Sequence, residues 1–330
     1  MNSGLKRDAR IDNIRVFAIF SVVLGHSIIL YSSNWNLYHA GQSSVFLDYV
    51  KRFINLYQMQ LFFSLSGYLY AKKAGNESAF TFFTKKAKRL LVPFLLVGLF
   101  WMIPIKYIAH YPGYVGNSIF VAAYQLLNGV DTGHLWYLPT LFCCFAGAYI
   151  ITKLFGRRMC TWVLAFSLSL IAAYYADRAK GANLIIQYSR YLCKYFYSFV
   201  LGVLLWIGKA NLERVSRSAI GKTCCIVTSA VFSFGAVFFD ERLSLFSSVM
   251  IVVSLFVITT KREFAILNAV SRNSYGIYLF HSPLLYFTFS FALNYPPAVI
   301  VAINFFIWGG VAYWMTSVLR KTPLKHLISH

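Results

Sequence analysis

Acidic residues are scarce in this chain: Asp and Glu together number 10 of 330 residues, against 31 Lys and Arg. Charge of either sign is thin at 12% of the sequence, which is about half the share of a soluble domain and argues against a water-exposed globular surface. Cysteine is limited to Cys143, Cys144, Cys160, Cys193, Cys224 and Cys225, all within or at the edge of apolar segments. No CxxC pair or His/Cys cluster accompanies them, so neither a disulfide scaffold nor a metal site is expected. No internal repeat, low-complexity tract or long linker divides the chain, which reads as one domain over 1–330 with short tails at 1–12 and 319–330. The first apolar stretch lacks a small-residue cleavage site and is too long for a signal peptide, so it is expected to stay in the mature protein.

What fills the sequence instead is hydrocarbon: 58% of the residues are hydrophobic. Crossing an apolar core of about 30 Å takes roughly 17 to 25 residues per helix. Ten such runs occur, at 13–33, 53–71, 90–109, 135–152, 159–176, 191–208, 219–239, 243–260, 274–293 and 297–318. The predicted fold class is therefore an all-α integral membrane protein, a polytopic bundle of about ten transmembrane helices with both termini cytoplasmic. Charge supports the orientation: 22 of the 31 basic residues, beginning with Lys6, Arg7 and Arg10, fall in loops on the N-terminal side. The other side receives Lys51, Arg52, Lys106, Arg178, Lys180, Arg190, Lys194 and Arg242. A net charge of +21 suggests nucleic acid at first sight. Its dispersal among short loops between apolar spans instead fits orientation and contact with anionic membrane lipid, with no nucleic-acid partner.

The densest chemical signal lies in the first span, IDNIRVFAIFSVVLGHS, where Arg15 and His26 are separated by ten intervening residues. Eleven helical steps return to within roughly 20° of the start while climbing about 16 Å, so both side chains share one face. Ionisable groups at that depth usually face a bundle interior or a watery cavity. Asp12, three positions before Arg15, can meet its guanidinium on the helix surface. Arg15 can orient an anionic group, and His26, an imidazole that exchanges protons near neutrality, suits a general base for a hydroxyl. The plainer alternative makes His26 an interhelical hydrogen-bonding residue and lets Arg15 snorkel to lipid phosphate.

Four further segments carry polar groups. TFFTKKAKRLLVPF puts Lys85, Lys86, Lys88 and Arg89 at the membrane surface, where they can clamp phosphates of a nucleotide-bearing donor or serve as a topogenic basic loop on lipid. NGVDTGHLWYLPT places Asp131, His134, Trp136 and Tyr137 before the fourth span, as an interfacial aromatic belt or a platform for a sugar ring whose hydroxyls Asp131 or His134 bind. SRNSYGIYLFHSPLL sets Ser274, Tyr278 and His281 on one helical face, lining the cavity of His26 or linking helices. In MQLFFSLSGYLY, Ser64, Ser66 and Gly67 favour close helix packing, and no GxSxG elbow makes either serine a nucleophile.

Taken in order, IDNIRVFAIFSVVLGHS, FFSLSGYL, KKAKRLLVP, GHLWYL and NSYGIYLFHSP resemble the acyltransferase 3 family of integral membrane acyltransferases. The resemblance implies transfer of an acyl group, commonly acetyl from acetyl-CoA, to a hydroxyl of a saccharide or lipid-linked glycan at the bacterial inner membrane. The family's arginine and histidine pair falls on Arg15 and His26, the histidine being the implied catalytic residue. Its basic RxxR motif corresponds to Lys86 and Arg89, the first arginine being replaced by lysine. The chain resembles the stand-alone members without a hydrolase-like domain, which modify surface polysaccharides such as lipopolysaccharide or exopolysaccharide units, with polysaccharide assembly machinery as an implied partner. No permanently bound cofactor is expected, acyl-CoA serving as co-substrate. Lys85, Lys86, Lys88 and Arg89 are the expected donor contacts, and His134, Trp136, Tyr137, Ser274, Tyr275, Tyr278 and His281 the expected acceptor-side residues. A transporter or flippase of a lipid-linked glycan is the rival from another class, since transporters also carry intramembrane charge.

Overall fold

The computed structural model describes residues 8–33, 44–73, 77–114, 116–176 and 184–328, and among these no strand occurs. The N-terminal half holds α1 (Ala9–Ile28), α2 (Val45–Asn55), α3 (Gln58–Lys73), α4 (Ala79–Val97), α5 (Ile103–Ile108), α6 (Ile119–Leu127), α7 (Tyr137–Phe155) and α8 (Met159–Ala176). Then follow α9 (Leu184–Ile207), α10 (Lys209–Arg217), α11 (Ala219–Phe238), α12 (Ser244–Ile258), α13 (Ala265–Leu284), α14 (Pro297–Ala302), α15 (Gly309–Leu319) and α16 (Lys325–Ile328). Turns of π-helix, Gly98–Met102 and Ile303–Trp308, join α4 to α5 and α14 to α15 into longer rods. Below, the end of the bundle at Ala9 is called proximal and the end at Ile28 distal.

Among the described residues eight helical stretches are long and apolar enough to cross a membrane, from Ala9–Tyr31 to Pro297–Leu319, making this a multi-pass membrane protein. The two expected spans outside that set are 53–71 and 274–293, and each departs for a physical reason. Residues 53–71 are split: α2 ends at Asn55, and α3 is only 16 residues long, about 24 Å at the helical rise. Residues 274–293 fall in α13, which starts at Ala265, and in the 3-10 turns after it. That helix carries Asn268, Arg272, Asn273, Ser274 and His281, and from Asn273 to Leu284 every one of its residues is buried. A helix enclosed by other helices needs partners for polar groups more than it needs an apolar exterior. Of the basic residues assigned to loops, Lys6, Arg7, Arg178 and Lys180 lie outside the described residues. Lys51 and Lys106 are not loop charges at all, being 5% and 1% exposed.

The closest helix pair is α3 with α9. The rings of Phe63 and Tyr195 stack at 5.1 Å, Ser64 Oγ donates to the Ser198 carbonyl at 2.8 Å, and Tyr68 meets Trp206 edge-on at 5.3 Å, so the two helices run parallel. Gly67 and Gly202 make this possible. A Cβ at Gly67 would sit 1.9 Å from the Phe199 carbonyl oxygen, and one at Gly202 would sit 1.9 Å from that of Ser64. Small residues are how helices approach in a bilayer, where lipid and side chain are equally apolar and packing supplies the attraction. Gly67→Ala should therefore destabilise the protein by about 1–3 kcal/mol through overpacking. Thermal unfolding in detergent checks this against Gly310→Ala, where a Cβ meets nothing within 4 Å and no loss is expected.

Candidate functional site

At the proximal end α1 is tied to α13 by a compact triad. Arg15 Nη1 donates to Asp12 Oδ1 at 3.2 Å and to Ser271 Oγ at 3.3 Å, and Ser271 Oγ donates to the same Asp12 oxygen at 2.6 Å. Asp12 is 4% exposed and Ser271 is fully buried. The intrahelical pair expected from the i, i+3 spacing is thus completed by a hydroxyl from a helix 256 residues further on.

At the distal end the same two helices meet through histidines. His281 Nδ1 lies 2.9 Å from the Ile277 carbonyl and 3.0 Å from that of Tyr278. A carbonyl only accepts, so Nδ1 carries the proton and Nε2 of the neutral ring is the acceptor. That Nε2 stands 3.2 Å from His26 Nδ1, which also lies 2.9 Å from the Val22 carbonyl. His26 Nδ1 must then be an N–H shared between the two, and the basic lone pair of His26 is on Nε2. By the same logic His134 Nε2 donates to the Leu279 carbonyl at 3.0 Å, leaving Nδ1 as a lone pair, buried and without a hydrogen-bond partner. The His134 and His281 rings are 5.6 Å apart and those of His26 and His281 5.0 Å.

His26 and His134 line one cavity of about 610 Å³, together with Gln58, Trp136, Tyr195, Tyr197 and Tyr278. Arg52, Lys194, Glu241 and Arg242 also line it, at its distal mouth. Such a volume falls in the range of small-molecule sites. Trp136 stacks on Tyr191 at 4.8 Å and packs on Tyr195 at 4.9 Å, presenting a broad aromatic wall. Tyr278 Oη donates to the His134 carbonyl at 2.5 Å, holding the histidine segment to α13. Ser274 turns away, donating to the Ser271 carbonyl at 2.8 Å within its own helix.

Between the two ends runs a band of tyrosines. Tyr137 and Tyr278 pack with rings 5.5 Å apart, the Tyr137 and Ser66 hydroxyls are hydrogen-bonded, and both Arg15 and Arg89 lie within electrostatic reach of Tyr137. Tyr275 Oη donates to the Arg89 carbonyl at 2.7 Å. The basic segment on α4 divides around that contact. Lys85 pairs with Glu77 at 2.8 Å, a contact that holds the Glu77 carboxyl below its ordinary range. Lys86 Nζ sits 3.5 Å from the centre of the Phe145 ring, while Lys88 and Arg89 are exposed.

Asp131, considered from sequence as a hydroxyl-binding group, is committed elsewhere. Its Oδ2 accepts from buried Lys106 Nζ at 2.7 Å and from Tyr114 Oη at 2.6 Å, and its Oδ1 from the Gly133 amide at 3.3 Å. Burial pushes the Asp131 carboxyl up, but the Lys106 charge and these hydrogen bonds outweigh it and hold the group below its ordinary value. The network anchors the turn that delivers His134. Gly133 is required there twice over: its φ is +51°, and a Cβ would come 2.7 Å from Met102 Sδ.

A polytopic helical membrane protein with a histidine pair at the head of a polar, aromatic-walled cavity is the class these features define. The family profile Acyl_transf_3, described as an acyltransferase domain, matches residues 8–317, and the chain belongs to the acyltransferase 3 family. Neither a curated protein nor a solved structure matches it.

Sequence reasoning had no grip on Ser271, on Lys51, Gln58 and Arg52, or on Tyr195, Tyr197 and Lys194. The one available signal was the cluster of polar residues Lys51, Arg52, Asn55, Gln58 and Gln60, too dense for the start of a plain membrane span.

The ion pair yields a prediction. Asp131→Ala leaves the buried Lys106 ammonium uncompensated and should cost about 3–5 kcal/mol. Lys106→Met should cost less because Asp131 is 30% exposed and keeps its Tyr114 and Gly133 bonds, and the double variant recovers most of the larger loss. Because the folded Asp131 carboxyl titrates below its unfolded value, its contribution is full above the ordinary carboxylate range. It is lost as pH falls through the folded value. Melting curves from pH 7 down to about 3 should show the wild type losing more stability than the double variant.

Proposed function

We propose that the protein is a membrane O-acyltransferase that moves acetyl from acetyl-CoA to a hydroxyl of a cell-surface or lipid-linked saccharide, with His26 as base or acyl relay. The observation that carries this reading is the tautomer of His26: Nδ1–H is spent on Val22 and His281, so Nε2 is a lone pair on a ring that lines the cavity. Membership of the acyltransferase 3 family supports the same chemistry. With the proximal end in the cytoplasm of a bacterial inner membrane, the CoA phosphates meet Lys85, Lys88 and Arg89, and Arg15 steers the thioester arm toward the tyrosine band. The acceptor enters by the distal mouth, its sugar ring on Trp136 and a hydroxyl on His134 Nδ1.

In the direct route the acceptor hydroxyl gives its proton to His26 Nε2 as its oxygen attacks the thioester carbon, and the C–S bond breaks to release CoA. In the relay, Nε2 attacks the thioester carbon and the C–S bond breaks to release CoA thiolate; the acceptor oxygen then attacks the acyl carbon, the N–C bond breaks, and the hydroxyl proton passes through the freed Nε2 to the thiolate. In either case His281 keeps the ring oriented and shares the charge that forms on it, a positioning role comparable to the orienting acid of a hydrolytic triad.

Radiolabelled acetyl-CoA added to membranes bearing the wild type should label glycolipid or polysaccharide, and His26→Ala should not; equal labelling by both would refute the assignment. His281→Phe, which keeps a ring but removes the acceptor, should lower kcat by about 10²-fold or more with the donor KM little changed. Loss of membrane-inserted protein instead would make His281 a packing residue.

A further inference from the structure

One charge beside His26 has no role in the chemistry above. Lys51 is buried on α2, and its Nζ lies against the backbone of Gly25, the residue before His26. A Cβ built on Gly25 would stand 3.1 Å from Lys51 Nζ and 2.7 Å from Gln58 Oε1. Lys51 is also within electrostatic reach of His26. No carboxylate among the described residues pairs with it: Asp48, on the same helix, is held by Arg52 at 2.9 Å and by the Ser33 amide and hydroxyl, each at 2.9 Å. Gln58 donates from Nε2 to Asn55 Oδ1 at 2.8 Å, while its Oε1 is buried without a partner.

A buried ammonium without a counter-ion is unfavourable in any fold, and snorkelling to lipid phosphate requires an exposure that Lys51 lacks. Gln58, which shares the Gly25 contact, lines the cavity with His26. Lys51 lies behind that wall rather than on it, and a cation held unpaired there stabilises through its field a negative charge that arises only during reaction. Acyl transfer creates one. As the acceptor oxygen bonds to the thioester carbon, its proton passes to His26 Nε2 and the C=O electron pair moves onto the carbonyl oxygen. Collapse restores C=O, breaks C–S, and the thiolate takes a proton as it leaves.

We propose that Lys51 is the electrostatic partner of that oxyanion. The assignment rests on the acyl-transfer reading of the cavity. Burial brings the Lys51 ammonium down to about 8. On the elements packed against α2 the titratable or charged groups are His26 on α1 with Arg10, Asp12 and Arg15 at that helix's far end, Tyr31 on the turn after it, Tyr68, Tyr70, Lys72 and Lys73 on α3, Lys222, Cys224 and Cys225 toward the far end of α11, and Tyr57 between α2 and α3. Asp240, Glu241 and Arg242 follow α11, and Asp48, Tyr49 and Arg52 share α2 itself. Lys51 is charged below about 8 and neutral above, so the rate it supports is present at lower pH and lost as pH rises through that value.

The test measures CoA release and label transfer from radiolabelled acetyl-CoA in membranes bearing the wild type, Lys51→Met or Lys51→Arg, between about pH 6 and 9.5. Lys51→Met should lower kcat by about 10²- to 10³-fold with the donor KM little changed. It should also melt at a higher temperature than the wild type, because an uncompensated buried charge is gone. Lys51→Arg should keep its rate above pH 8, where the wild type declines. If Lys51→Met transfers label within about threefold of a working wild type, or if wild type and Lys51→Arg decline in parallel, the proposal is overturned. Should Lys51→Met fail to fold, the Lys51→Arg profile decides alone. A wild type that transfers nothing refutes the acyl-transfer reading itself, a result separate from any difference between variants.

Discussion

A polar side chain buried among membrane helices must find its partner on another helix, and this constraint fixes the register of α1 against α13. Asp12 and Arg15 engage Ser271 at one end, His26 engages His281 at the other, and both ties join the same two parallel helices. In a low-dielectric interior each unmet donor or acceptor is costly. A slip of α1 by one residue would strand groups at both ends together. The remaining architecture follows from that pairing: α3 and α9 wall the cavity that His26 faces, and the 133–136 turn is pinned to α13 through His134 and Tyr278.

The part of this arrangement legible in the sequence is the part set by period and depth. Arg15 and His26 share a helix face because eleven residues make nearly whole turns, and Tyr278 and His281 share one by the same rule. Helical spans announce themselves by apolar length, and among the described residues eight do so. What eluded the sequence is what depends on tertiary neighbours. Apolar length does not single out α13, because an enclosed helix is selected for partners, nor α3, because the break after Asn55 leaves it only 16 residues. Lys51 and Lys106 read as loop charges because nothing local reveals that Gly25 leaves room for one ammonium and that Asp131, 25 residues on, neutralises the other. Asp131 itself illustrates the ambiguity of a lone carboxylate near a sugar-like aromatic platform.

The two histidines of the cavity carry their lone pairs on different ring nitrogens. His26 is held by its Nδ1 and His134 by its Nε2, in each case through a backbone carbonyl. Main-chain acceptors cannot change protonation state, so the tautomers are set by the fold rather than by solution conditions. The aromatic wall of Trp136, Tyr191 and Tyr195 then contributes surface without competing for protons.

The glycine contacts between α3 and α9 have a mechanical side. With the Phe199 carbonyl lodged on Gly67 and the Ser64 carbonyl on Gly202, sliding one helix past the other would carry a side-chain-bearing residue into a slot only hydrogen can occupy. The pair forms a keel, unable to shear by a turn without first coming apart. Rocking carriers need such shear or hinge surfaces between their halves. Here the partition between the two ends of the bundle is rigid along this seam, and traffic through it depends on the reach of the molecules that enter from either side.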